Sequence, residues 1–171
     1  MTFSTTTSST VLNKPVLREG STGEAVKELQ ELLLPHGVFA YINYDHACVY
    51  PGEEVIDGIF GSHTTNAVKL FQSKVFLSED GIVGDKTWRT LYLGAPVDMP
   101  ILRKGSKGIL VEKIQYRLSD AGYYHSIIDG DFGTATEAAV KDLQTYVGLP
   151  IDGIVGDRTW FELSKIFITS C

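Results

Sequence analysis

A nine-residue string occurs twice in this chain with one conservative change, DGIVGDKTW from Asp80 and DGIVGDRTW from Asp152. A recurrence this close calls for self-comparison before any other reading, because a repeated sequence folds as repeated units. PVLREGSTGEAVKELQELL from Pro15 aligns with PILRKGSKGILVEKIQYRL from Pro100, and DGIFGSHTTNAVKLFQ from Asp57 aligns with DGDFGTATEAAVKDLQ from Asp129. The first pair is offset by 85 residues and the second by 72, so the first unit carries 13 more residues between its first two blocks. The excess falls within Pro35 to Val55. The chain therefore divides into a loose Ser/Thr-rich tail (1–14), a first unit (15–94, insert about 35–55), a linker (95–99) and a second unit (100–171). Units of 70–80 residues lie near the lower limit of independent stability, and the two are expected to pack against each other.

Within each unit the periodicity is helical. Val26, Leu29 and Leu33 recur at i, i+3 and i+7, as do Val111, Ile114 and Leu118. Ala67, Val68, Phe71 and Val75 form a second stripe, matched by Ala139, Val140, Leu143 and Val147. A short third helix follows, with Trp88 and Leu91, or Trp160 and Leu163, on one face. Ser21 with Glu24 and Thr134 with Glu137 have capping-box spacing, and Asp85 and Asp157 suit the N-cap. The predicted class is all-α, two tandem three-helix units, with the alternating VFAYINY of the insert predicting a small β-hairpin.

The string itself is architecture. D-G-x-[FV]-G occurs four times, at Asp57, Asp80, Asp129 and Asp152, each time just ahead of a predicted helix. Its first glycine tolerates positive φ, and its aspartate can bond back into the turn. GIVGDKT is too short for a phosphate-binding P-loop and sets Asp before Lys. Asp129 and Asp131 have the D-x-D spacing of a calcium loop but lack its further ligands.

These residues resemble the peptidoglycan-binding domain 1 family, a small three-helix cell-wall-binding module. Leu17, Gly20, Gly23, Val26, Leu29, Gln30 and Leu33 carry the likeness, followed by Asp57 to Gly61, Thr64, Ala67, Val68, Phe71 and Gln72, and then by Asp80 to Gly84, Thr87, Trp88 and Leu91. The second unit repeats all three blocks from Leu102 to Leu163, with Ile114 and Leu143 as conservative departures. The insert is the larger departure. The resemblance implies peptidoglycan as partner, through its stem peptide and adjacent amino sugar, and a place in the cell envelope, periplasm or outside the cell.

No catalytic constellation stands out in the sequence, and a non-enzyme is expected. His36, His46, His63 and His125 show no H-x-x-x-H spacing, His46 and Cys48 do not make a zinc pair, and no G-x-S-x-G elbow is present. No cofactor or metal is expected. Two cysteines, Cys48 and Cys171, make no disulfide framework. A net charge of −6 argues against nucleic acid. No apolar run reaches the roughly 18–20 residues of a membrane span. The N-terminus shows no secretory signal, which leaves a cytoplasmic location open.

Gln30, Gln72, Gln115 and Gln144 sit beside apolar positions and read as buried amides that satisfy loop backbone, while Trp88 and Trp160 read as core. The candidate ligand contacts are Tyr123, Tyr124 and His125 in the loop after the first helix of the second unit, with the neighbouring Asp129, and Tyr41 and Tyr44 in the insert. Aromatic rings there can cover a sugar's apolar face while their hydroxyls stay wet. Two rivals remain at this stage. One is a scaffold that uses the fold to bind a cell-wall hydrolase or other protein; the other is a hydrolase whose catalytic residues escape the motif search.

Overall fold

The apolar stripes become two cores. The computed structural model describes residues 12–42 and 48–166. Among these are six α-helices: α1 (Glu24–Leu33), α2 (Ser62–Lys74), α3 (Asp85–Leu93), α4 (Ile109–Asp120), α5 (Thr134–Val147) and α6 (Asp157–Lys165). The protein is all-α, with α1 packed on α2 and α3, and α4 packed on α5 and α6. Short 3₁₀ turns at Leu34–His36 and Glu53–Val55 form the two ends of the insert. In the insert, β1 (Tyr41–Ile42) pairs antiparallel with β2 (Cys48–Val49), and the residues between them lie outside the described ones.

Val26, Leu29 and Leu33 meet Phe60, Val68, Phe71, Val83 and Trp88 in the first core. Val111, Ile114 and Leu118 meet Phe132, Val140, Leu143, Val155 and Trp160 in the second. Both indoles are fully buried, and each Nε1–H finds the carbonyl of the segment that enters its unit, Trp88 to Pro15 at 2.9 Å and Trp160 to Pro100 at 2.8 Å. A buried indole needs such an acceptor. Paired backbone bonds between Leu17 and Val83, and between Leu102 and Val155, sew the same entry segments to the D-G-I-V-G turns.

The helix starts differ from those predicted. The capping residue is a glycine each time, and none of the six helices has a side-chain cap bond. Asp85 and Asp157 are first helical residues rather than caps, still on the positive end of the dipole. Ser21 lies two residues short of Gly23, the cap of α1, and its Oγ instead accepts the Arg18 N–H at 3.1 Å. Glu24 turns to Lys27. Thr134 is already helical, so its box does not form either, and Glu137 pairs with Lys141 at 2.7 Å.

Phe76 joins the halves. It follows α2 in the left-handed region, at φ 63, where the second unit has Gly148 at φ 72. The surrounding backbone is the same, with Leu77 N–H to Gln72 O and Leu149 N–H to Gln144 O both at 2.8 Å. A side chain in this conformation costs about 1 kcal/mol relative to glycine. The cost is offset because the ring enters the other unit's core, edge-on to Trp160 at 4.9 Å, and is only 4% exposed. Arg117 lies over that ring at 5.1 Å and donates to the Ser73 carbonyl at 2.8 Å. Burial lowers its pKa to about 10, which leaves it a cation at neutral pH. Lys113 donates to the Leu77 carbonyl at 3.2 Å.

Phe76→Ala is expected to lower stability by about 3 kcal/mol in urea unfolding. Phe76→Gly, which relieves the backbone strain, should recover about 1 kcal/mol of that loss. Equal losses would show that the strain is absent.

His36 predicts a second effect. Its ring lies 4.8 Å from Phe71, and burial, reinforced by the Lys74 cation, lowers its pKa to about 4. The unfolded chain takes up this proton near pH 6.5, whereas the folded chain refuses it until about pH 4. Stability is therefore whole above pH 6.5 and falls as pH drops toward 4, by about 1–2 kcal/mol once solvent screening of this partly exposed ring is allowed for. His36→Phe should flatten the melting temperature between pH 6.5 and 4.5; an unchanged slope would overturn the assignment.

Candidate functional site

One hydrogen-bond unit appears four times. Gln30 Oε1 accepts the Gly58 N–H at 2.9 Å, while the two hydrogens of its Nε2 are shared among Asp57 Oδ1 at 2.8 Å, Thr64 Oγ1 at 3.1 Å and the Ile59 carbonyl at 3.2 Å. Gln72 does the same with Gly81, Asp80, Thr87 and Ile82. Gln115 clasps Gly130, Asp129, Thr136 and Asp131, and Gln144 clasps Gly153, Asp152, Thr159 and Ile154. The four glycines lie at φ 69–73. Each aspartate's Oδ1 also accepts the N–H two residues on, at 2.8–2.9 Å. These bonds hold Asp57 and Asp129 below the usual carboxylate range, the glutamine amide being the largest cause. For Asp152 the Ile154 N–H leads.

The glutamines thus serve the loops, as the sequence predicts. Their amides are spent, and Oδ1 of Asp129, a candidate ligand contact, is spent in the same turn. Gln144→Ala leaves the buried Gly153 N–H without its acceptor and should cost about 2 kcal/mol. Urea unfolding reads it; a loss under 0.5 kcal/mol would mean that the turn holds itself.

The other candidates separate. Tyr124 is 4% exposed, part of the second core, and its hydroxyl donates to the Ile127 carbonyl at 2.6 Å while receiving Gln115 Nε2 at 3.2 Å. It is therefore corrected from ligand contact to core residue. The signal was present in the repeat, since Tyr124 stands where the first unit has Phe39, itself buried at 9%. Tyr123 is half-buried and His125 exposed. Tyr41 lies in β1 opposite Val49, and Tyr44 lies outside the described residues.

Sequence reasoning missed Tyr146. It is 80% exposed on α5, with its ring 6.2 Å from that of Tyr123 and tilted by 52°. Burial, with Tyr146 and Asp142 nearby, pushes the Tyr123 hydroxyl's pKa up. The clue was an aromatic off the apolar stripe, at the position where the first unit has Lys74.

Two concavities adjoin the clamps. One of 280 Å³ lies beside the first, lined by Gln30, Asp57 and Thr64 together with Phe39, Glu54 and His63. Another, of 480 Å³, opens where the halves meet, between Phe76 and Lys86 on one side and Ile109 and Lys113 on the other. Among the described residues no group of three or more His, Cys, Asp or Glu side chains could hold a metal ion, and no helix is long and apolar enough to cross a membrane.

Residues 22–91 and 107–163 each match the putative peptidoglycan binding domain, and with most of its length so matched the chain belongs to that family. It is 34% identical to the N-acetylmuramoyl-L-alanine amidase CwlM of Mycobacterium tuberculosis, over 84% of this chain and 36% of the relative. It is 31% identical to the N-acetylmuramoyl-L-alanine amidase CwlL of Bacillus licheniformis, over 96% of this chain and 49% of the relative. A spore cortex-lytic enzyme of Bacillus cereus is 37% identical over 38% of this chain and 25% of its own length. The chain spans between a third and a half of the length of the two amidases.

These relatives correct one expectation. The sequence motifs predict a non-enzyme, yet relatives similar over most of the chain are named amidases. Nucleophile, base and metal-ligand spacings within these residues carry no information about the remainder of relatives of which the chain covers 36% and 49%.

Proposed function

We propose that this chain binds peptidoglycan, and that it does so in the service of an N-acetylmuramoyl-L-alanine amidase activity like that for which its relatives are named. The observation that carries the reading is the double match to the peptidoglycan-binding family, each match coinciding with a complete core and two closed glutamine clamps. The units are 15–94 and 100–171, joined by a linker at 95–99, with Leu12 and Lys14 just ahead already packed on and paired with the first unit, and their ligand is the stem peptide with its adjacent amino sugar. The site of action is the cell envelope or the medium outside it. Because Phe76 fixes one unit against the other, two weak contacts on one polymer can act together, and avidity of this kind raises apparent affinity by about 10²–10⁴ where the geometry fits.

Sedimentation of the whole chain with insoluble sacculi tests the binding. The chain is expected in the pellet; a chain that stays in the supernatant overturns the reading and favours a scaffold that binds protein. Fusion to a muramoyl-L-alanine amidase tests the service to catalysis. Turnover on sacculi should rise several-fold over the unfused enzyme while turnover on soluble muropeptides stays the same. An equal rise on both substrates would refute a targeting role.

A further inference from the structure

We infer that Tyr123 and Tyr146 of the second unit form a platform for a neutral pyranose ring, a sugar contact for which the first unit has no equivalent pair of rings. The inference rests on the peptidoglycan reading above and gives it a location. Four observations bear on it.

The first is exposure. Tyr146 is 80% exposed and contributes little to the core, whereas the partly buried Tyr123 is anchored against it. A single exposed aromatic on a helix is ordinary, as Tyr116 at 51% exposure shows, but one set beside a second ring makes a contiguous surface. The second is geometry. Ring centroids 6.2 Å apart with planes at 52° make an open corner rather than a slot, so a flat, amphipathic ligand can lie on one ring and meet the edge of the other.

Charge supplies the third. Asp142 is close enough to act on the Tyr123 hydroxyl, and the whole chain carries −6. A sugar's hydroxyls can donate to such a carboxylate. The fourth is the internal comparison. The first unit has Val38 and Lys74 at the equivalent positions. Val38 is 2% exposed, and Lys74 reaches the His36 carbonyl at 3.4 Å. The backbone is shared, with Gly37 at φ 69 and Gly122 at φ 78 just ahead of these positions, so the difference lies in the side chains.

The test uses the full chain and a soluble β-1,4-linked N-acetylglucosamine tetramer, read by the aromatic resonances of the tyrosines, alongside sedimentation with sacculi. The tetramer should shift the Tyr123 and Tyr146 resonances. Tyr146→Ala should weaken its binding by about five- to tenfold, and Tyr146→Phe, which keeps the ring, by less than about twofold. Tyr146 is exposed enough for its variants to fold, and their melting temperature should match the parent's. If the parent sediments with sacculi but the tetramer leaves both tyrosines unmoved, or if Tyr146→Ala binds as the parent does, the platform is wrong and wall binding stands. If the tetramer shifts both tyrosines while sacculi sediment nothing, the platform stands as a sugar site and the wall reading falls.

Discussion

Everything in this protein hangs on a buried side-chain amide. Each glutamine closes a loop by accepting one glycine N–H and donating to an aspartate, a threonine and a carbonyl, which satisfies polar groups that would otherwise be stranded next to the core. A unit this small has little apolar surface to spare, so leaving even one such group unpaired would consume a large share of its stability. The clamp also explains the composition of the repeated string. Glycine is required for φ near +70°, aspartate for the bond to the residue two places on, and the threonine of the next helix for the last donor–acceptor contact. Replace the glutamine and the glycine, aspartate and threonine each lose a partner. The nine residues therefore recur as a set.

Where the repeat is broken, it is broken to a purpose. Gly148 does in the second unit what a helix end ordinarily does, and Phe76 in the first accepts the same conformation at an energetic cost. Its ring fills the core of the other half, under Arg117, whose guanidinium reaches back to the Ser73 carbonyl. A glycine at this place would leave Trp160 with a hole beside it. The strained phenylalanine thus converts two marginal units into one packed body, which neither unit's own core could do.

Much of this was legible. Periodicity gave the stripes of α1, α2, α4 and α5, and the indoles and glutamines behave as their spacing implies. The helix starts were not legible, because Ser21 and Thr134 match a capping box by type and interval while the actual caps are glycines, whose carbonyl and extended or left-handed backbone leave no side-chain signature. Tyr124 was misplaced because a loop tyrosine looks like a ligand contact until it is set against its counterpart Phe39. That relatives similar over most of the chain are named amidases was invisible for a different reason, since no residue of a repeat records what accompanies it in a relative.

The two halves are each other's control. Positions alike in both, such as the glutamines, the D-G turns and the tryptophans, answer to the fold, because the fold is what the halves share. Positions that differ on the same backbone are released from that demand, and a bulky residue kept there needs another explanation. Phe76 against Gly148 finds its explanation in the junction. Tyr146 against Lys74 finds none in packing, for at 80% exposure it buries too little area to matter to stability. An aromatic ring that the fold does not use, set beside a second ring in a protein whose repeats belong to a wall-binding family, is most simply explained by something outside the chain.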